Sequence, residues 1–125
     1  MRYRPRAKAR PRQPKQGMNK TESAYADRLG GLLAQGMIEA FQYEPIRLKL
    51  AGGTCTYTPD FMVVMPNGEI EFHEVKAATS KGVILAEDDA IVKIKVAAEL
   101  YWMFGFRIFA KLPIKIGGGS KERTF

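Results

Sequence analysis

Cysteine and histidine each occur once in this chain, at Cys55 and His73. A lone cysteine forms no intrachain disulfide, which fits a reducing cytoplasm. One of each leaves no Cys/His set for zinc, and no Ser-His-Asp or Cys-His arrangement can be assembled. No apolar run reaches the roughly 18 residues that a membrane span needs. The basic N-terminus has no apolar segment after it, so no secretory signal is expected. The only glycine-rich run, Gly117-Gly118-Gly119, precedes no helix and is not a phosphate-cradling loop. Acidic residues are absent from residues 1–18.

What that segment does hold is positive charge. Arg2, Arg4, Arg6, Lys8, Arg10, Arg12 and Lys15 alternate with prolines and small residues. They account for the whole formal net charge of +7, because the other thirteen basic residues match thirteen acids in residues 19–125. A segment with so little to bury is expected to be a disordered basic arm. An acid-free run of this density suits nucleic-acid phosphates, with counterion release and salt-dependent affinity. The plainer alternative is a solubilising tail.

Residues 19–116 read as one domain, since 125 residues allow one and not two. Asn19 or Thr21 caps a helix near Glu22, with an apolar stripe at Tyr25, Leu29, Leu32 and Leu33, and Gly36 ends it. Ile38 to Tyr43 and Ile46 to Leu50 read as strand, with Ile46, Leu48 and Leu50 inward and Arg47 and Lys49 outward. Gly52-Gly53 turns the chain into the strand that reaches Asp60. A long helix is expected over residues 86–104, apolar nearly all round and so buried on more than one side. A sheet covers one side; a second copy of the chain is the expected cover for the other, making a homodimer. A last strand is expected over 106–116 and a flexible tail over 117–125. Helix, strands, helix, strand in that order predict an α/β or α+β domain with a central mixed sheet flanked by helices.

The informative stretch runs from Tyr57 to Lys76. Two β-rich segments flank Pro66-Asn67-Gly68, a hairpin turn. Side chains alternate between faces of a strand, so Ile70, Phe72, Glu74 and Lys76 share one face and His73 points away. Ile70 and Phe72 belong in a core, which draws Glu74 and Lys76 onto a partly buried surface. Charges there are expensive unless paired or bound to metal. Asp60 opens the partner strand and lies near them at the open end of the hairpin. Two carboxylates and a lysine suit a hard divalent cation such as Mg2+. His73 reads as structural. Glu22 has two readings: a first-turn acid complementing the helix dipole, or a member of this site. Glu44 is a weaker further acid.

Pro59-Asp60, thirteen residues, then Glu74-Val75-Lys76 resembles the motif of the PD-(D/E)xK nuclease superfamily, whose fold is restriction-endonuclease-like. The resemblance spans Asn19 to Leu112 and is nearest to small phage-type nucleases, including Holliday-junction resolvases of the phage endonuclease I type. It implies that Asp60, Glu74 and the backbone carbonyl of Val75 bind Mg2+, or Mn2+. It implies that Lys76 orients or activates the attacking water, and that Glu22 assists the metal through water. Lys93, on the helix after the site, is the basic residue expected near the scissile phosphate. The implied activity is a metal-dependent endodeoxyribonuclease, in the cytoplasm of a bacterium or phage-infected host. Duplex or branched DNA is the partner, and the loop from Thr79 to Leu85 is placed to meet it. The competing expectation is a non-catalytic nucleic-acid-binding protein that uses only the arm.

Overall fold

The computed structural model describes residues 17–77, 89–111 and 120–125. The fold is α+β: a mixed five-stranded sheet with two helices, compatible with a restriction-endonuclease-like core. The elements are α1 (Lys20–Ala34), β1 (Ala40–Tyr43), β2 (Leu48–Lys49), β3 (Thr56–Tyr57), β4 (Phe61–Val64), β5 (Ile70–Ala77), α2 (Asp89–Leu100), β6 (Gly105–Lys111) and β7 (Ser120–Thr124). The sheet order is β1-β4-β5-β6-β7; β5 and β6 pair in parallel and the other neighbours antiparallel. β2 and β3 form a separate two-stranded ribbon. Among the described residues no helix is long and apolar enough to cross a membrane.

Local chemistry explains the ends of α1. Asn19 Oδ1 accepts the Glu22 N–H at 2.8 Å, and Glu22 Oε1 accepts the Asn19 N–H at 3.0 Å, a reciprocal capping box. At the other end Gly36 takes φ +77°, and the Gly36 and Met37 N–H groups turn back to the Leu33 and Leu32 carbonyls. Those are the paired bonds of a glycine C-cap. At the β4–β5 turn only Gly68 takes positive φ; its N–H reaches the Met65 carbonyl, and Asn67 Oδ1 accepts the Glu69 N–H. Pro66 suits a turn's second position, so the loop runs one residue longer than a bare Asn-Gly hairpin.

The alternation of β5 divides two cores. On one face Tyr25, Ala26 and Leu29 of α1 pack on Phe61, Val63, Val75 and Phe109. On the other Ile91, Ile94 and Ala97 of α2 pack on Phe72, Phe106, Ile108, Leu48 and Tyr57. Burying each of Phe61, Phe72 and Phe106 stabilises the fold by about 1.5–3 kcal/mol.

His73 occupies the α1 face, as its position opposite Glu74 requires. Burial lowers its pKa, so the ring is neutral. Its Nε2 then donates to Glu71 Oε1 (2.9 Å), and Nδ1 accepts the Tyr25 hydroxyl (2.8 Å). Glu71 continues to Arg107 Nε at 3.2 Å, and Arg107 pairs with Glu122 of β7. This chain, buried at Tyr25 and His73 and open to solvent at Glu122, ties α1, β5, β6 and β7 together.

Several expectations change. The flexible tail expected over 117–125 gives way at residues 120–125: residues 120–124 form β7, whose ladder with β6 runs from Arg107–Thr124 to Lys111–Ser120, while residues 117–119 lie outside the described residues. The Phe125 N–H reaches the Phe106 carbonyl, and the Phe125 ring joins the α2-side core. Two-residue ribbon strands replace longer ones, and Ile46 is exposed, because Pro45 and the Gly52-Gly53 turn leave few residues to pair. The helix expected to reach Phe104 is helical from Asp89 to Leu100 and then runs through a looser turn. The start of that helix, the Thr79–Leu85 loop and residues 112–116 lie outside the described residues.

Deleting residues 120–125 should therefore destabilise the domain. Loss of the ladder and of Phe125 packing is worth about 2–4 kcal/mol, a fall in Tm of about 10 °C or more for a domain of this size. A melting curve within about 2 °C of the full chain would show that β7 contributes nothing.

Candidate metal centre

The site forms where β4 is shorter than β5. The last β4–β5 partner of β4 is Phe61, opposite His73, and β5 continues to Ala77. Residues 74–77 therefore pass beyond the start of β4. Pro59, fully buried and lacking an N–H, breaks the chain between β3 and β4. Asp60 follows it and fills the gap: its Oδ2 accepts the Val75 N–H at 2.8 Å. A strand residue points its N–H and C=O to the same neighbour. The Val75 carbonyl therefore faces the gap that Asp60 occupies.

Glu74 projects from the opposite face to Val75, where Phe72 lies. Its Oε1 accepts the Tyr57 hydroxyl at 2.7 Å. Lys76, half-buried, follows on that same face. Glu22 arrives from the first turn of α1. Its Oε1 accepts the Tyr43 hydroxyl at 3.1 Å, and its charge helps to raise the pKa of Asp60. The two readings of Glu22 are thus compatible, since it caps α1 and borders the gap at once. Glu44 adjoins the site through its backbone: its N–H donates to the Asp60 carbonyl at 2.8 Å, and it sits at φ +43°.

Asp60, between β3 and β4, lies within electrostatic reach of Glu74 on β5 and Glu22 on α1. Asp60 is 8 % exposed. Burial, then the charge of Glu74, then Glu22 push its pKa up to about 8, against the pull of the Val75 N–H. Burial and Glu74 raise the pKa of Tyr57, and burial and the bond to Glu22 raise that of Tyr43. Both phenols stay protonated and donate.

A hard divalent cation fits this donor set. Carboxylate oxygens and a backbone carbonyl are the ligands Mg2+ and Mn2+ prefer, and a positive charge offsets the crowding of Asp60 with Glu74 and Glu22. Among the described residues no group of three or more acidic, histidine or cysteine side chains is placed to hold a metal ion. Mg2+ does not require one: one or two carboxylates with water and substrate phosphate suffice.

Of the expected site residues, Asp60, Glu74, Val75 and Glu22 come together around the gap, with Lys76 beside Glu74. Lys93 lies on α2, where its ammonium pairs with Asp89 one turn earlier at 3.6 Å. Arg2, Arg4, Arg6, Lys8, Arg10, Arg12 and Lys15 lie outside the described residues. Tyr57 and Tyr43 were not expected. A signal for Tyr57 exists in the sequence: a tyrosine at an inward strand position needs an acceptor for its hydroxyl.

Comparison with protein-family models, with curated proteins and with solved structures gives no match to this chain.

The position of Asp60 has a measurable cost without metal. Its folded pKa lies above its unfolded value of 3.8, so between about pH 4 and pH 8 the folded state holds a proton that the unfolded state has lost. The stability it lends is complete at low pH and is lost as pH rises through that window. Asp60→Asn, which keeps an acceptor for the Val75 N–H, should melt like the parent near pH 4 in a chelator. Near pH 8.5 it should melt about 10 °C or more higher, since each pH unit of that window is worth about 1.4 kcal/mol. Parallel melting profiles across that range would mean that Asp60 is not crowded by its neighbours.

Proposed function

We propose that this chain is a Mg2+-dependent endodeoxyribonuclease of the PD-(D/E)xK type. The observation that supports this reading most is the Asp60–Val75 bond at the open end of β5, with Glu74 and Glu22 alongside. Asp60, Glu74 and the Val75 carbonyl would hold the cation, with Glu22 assisting. When bound, the ion polarises the phosphate, lowers the pKa of its water and stabilises the departing oxygen. Tyr57 fixes one oxygen of Glu74. Tyr43 holds Glu22 in the same way. Lys76 orients the attacking water from the Glu74 face. The arm from Arg2 to Lys15 neutralises phosphates without reading sequence, and Lys93 adds a contact next to the site.

DNA is the partner in this reading, and a homodimer is the working form. Two symmetric sites suit opposed strands of a Holliday junction or another branched substrate. The setting is the cytoplasm of a bacterium or phage-infected cell.

The test is nicking of supercoiled plasmid and of a synthetic four-way junction, each with Mg2+ or with chelator. Asp60→Ala and Glu74→Ala should lower the rate at least about 100-fold, the scale on which a transition-state electrostatic contact acts. Tyr57→Phe should cost about tenfold and raise the Mg2+ needed for half-maximal rate. Cleavage that survives Asp60→Ala, or binding with no metal-dependent cleavage at all, would leave the arm as the only functional element.

A further inference from the structure

α2 buries only one side. Ile91, Ile94 and Ala97 face the sheet, while Val92, Val96 and Leu100 lie 40–49 % exposed on the outer face. Trp102 and Met103 prolong this apolar surface past the helix end at 77 % and 54 % exposed. Spacings of four residues place Val92, Val96 and Leu100 in one stripe. Contiguous apolar surface of this kind marks an interaction site.

The charges beside the stripe say what covers it. Lys95 and Glu99 are exposed and flank the stripe on one edge, one turn apart. In an antiparallel helix pair the same edge of each helix meets. With a twofold axis level with residue 97, Lys95 stands opposite the partner's Glu99, and Glu99 opposite the partner's Lys95. The same axis seats Val96 between the partner's Val96 and the partner's Leu100. Val92 then falls between the partner's Leu100 and the partner's Met103. The stripe and its charged edge thus satisfy one register together, which is the self-complementarity an isologous interface requires.

We propose that the outer face of α2 is the homodimer interface, formed with a second copy of this chain in antiparallel register. The inference rests on the homodimer part of the functional reading and not on its chemistry. The helical part of the stripe, Val92 to Leu100, spans about 12 Å at 1.5 Å per residue. An interface of that length lies at the small end of specific contacts, so association falls in the micromolar range.

The full chain is examined by sedimentation equilibrium from about 1 to about 300 μM, at low salt, where rim charges are least screened. The parent should pass from one chain to two across that range. Lys95→Glu and Glu99→Lys each turn two attractive contacts repulsive and should weaken association about tenfold. The double variant K95E/E99K restores both contacts and should recover the parent constant. Both side chains are exposed, and matched melting curves confirm that the variants fold. A single-chain mass throughout overturns both the interface and the homodimer. Single variants that associate like the parent, or a double variant no better than the singles, overturn the α2 interface and leave the homodimer to another surface. Neither result touches cleavage, which the plasmid assay reads separately.

Discussion

One hydrogen bond organises this molecule: the Val75 N–H given to the Asp60 carboxylate across the end of a strand that has run out of partner. β5 is eight residues long and β4 is four. The excess length leaves backbone groups of β5 facing a gap, and a buried unpaired N–H costs roughly 1–3 kcal/mol. Asp60 meets that need with a carboxyl oxygen. The same act draws a carboxyl into a buried position and turns the Val75 carbonyl toward it. The demand of sheet construction and the assembly of the acidic centre are met by one side chain.

The two faces of β5 then do different work. The His73 face is closed by α1 and is polar only along the chain from Tyr25 through His73, Glu71 and Arg107 to Glu122, where each group has its partner. That satisfied network fixes the edge strand β7 on the sheet. The Glu74 face is apolar under α2 until Glu74 itself, which is met by Tyr57 from the short ribbon. The ribbon is too small to stand alone. Its use is to carry Leu48 and Tyr57 against α2 and to hold Glu74.

Much of this was legible in order along the chain. The period-two alternation separated Glu74 and Lys76 from His73, and the β5 contacts show that separation. Asn19, Glu22 and Gly36 marked the ends of α1 by capping chemistry that acts within four residues. What escaped was non-local. β7 carries the polar string Ser-Lys-Glu-Arg-Thr, with no alternation to mark a strand; it pairs because β6 offers an open edge and Arg107 offers Glu122 a partner. Tyr57 lay inside the stretch already singled out. Its link to Glu74 spans seventeen residues and follows only from where the ribbon packs. The outer stripe of α2 was legible as surplus hydrophobicity, but its flanking charges gained meaning only once one face was seen to be covered.

A carboxyl needed only to cap Val75 could be an asparagine, which accepts the same hydrogen bond without charge. Placing an aspartate there, against Glu74 and Glu22, gives up stability throughout neutral pH. Tyr57 and Tyr43 do not relieve this crowding, since a neutral phenol stabilises each carboxylate without cancelling its charge. They hold Glu74 and Glu22 in place and so preserve the repulsion. Proteins keep such local costs where a ligand offsets them, and a compact charge of +2 bound there would offset this one. The physical case for a cation centre therefore comes from the sum of the three carboxyls and the two hydroxyls that keep them together, more than from any one residue type at a fixed spacing.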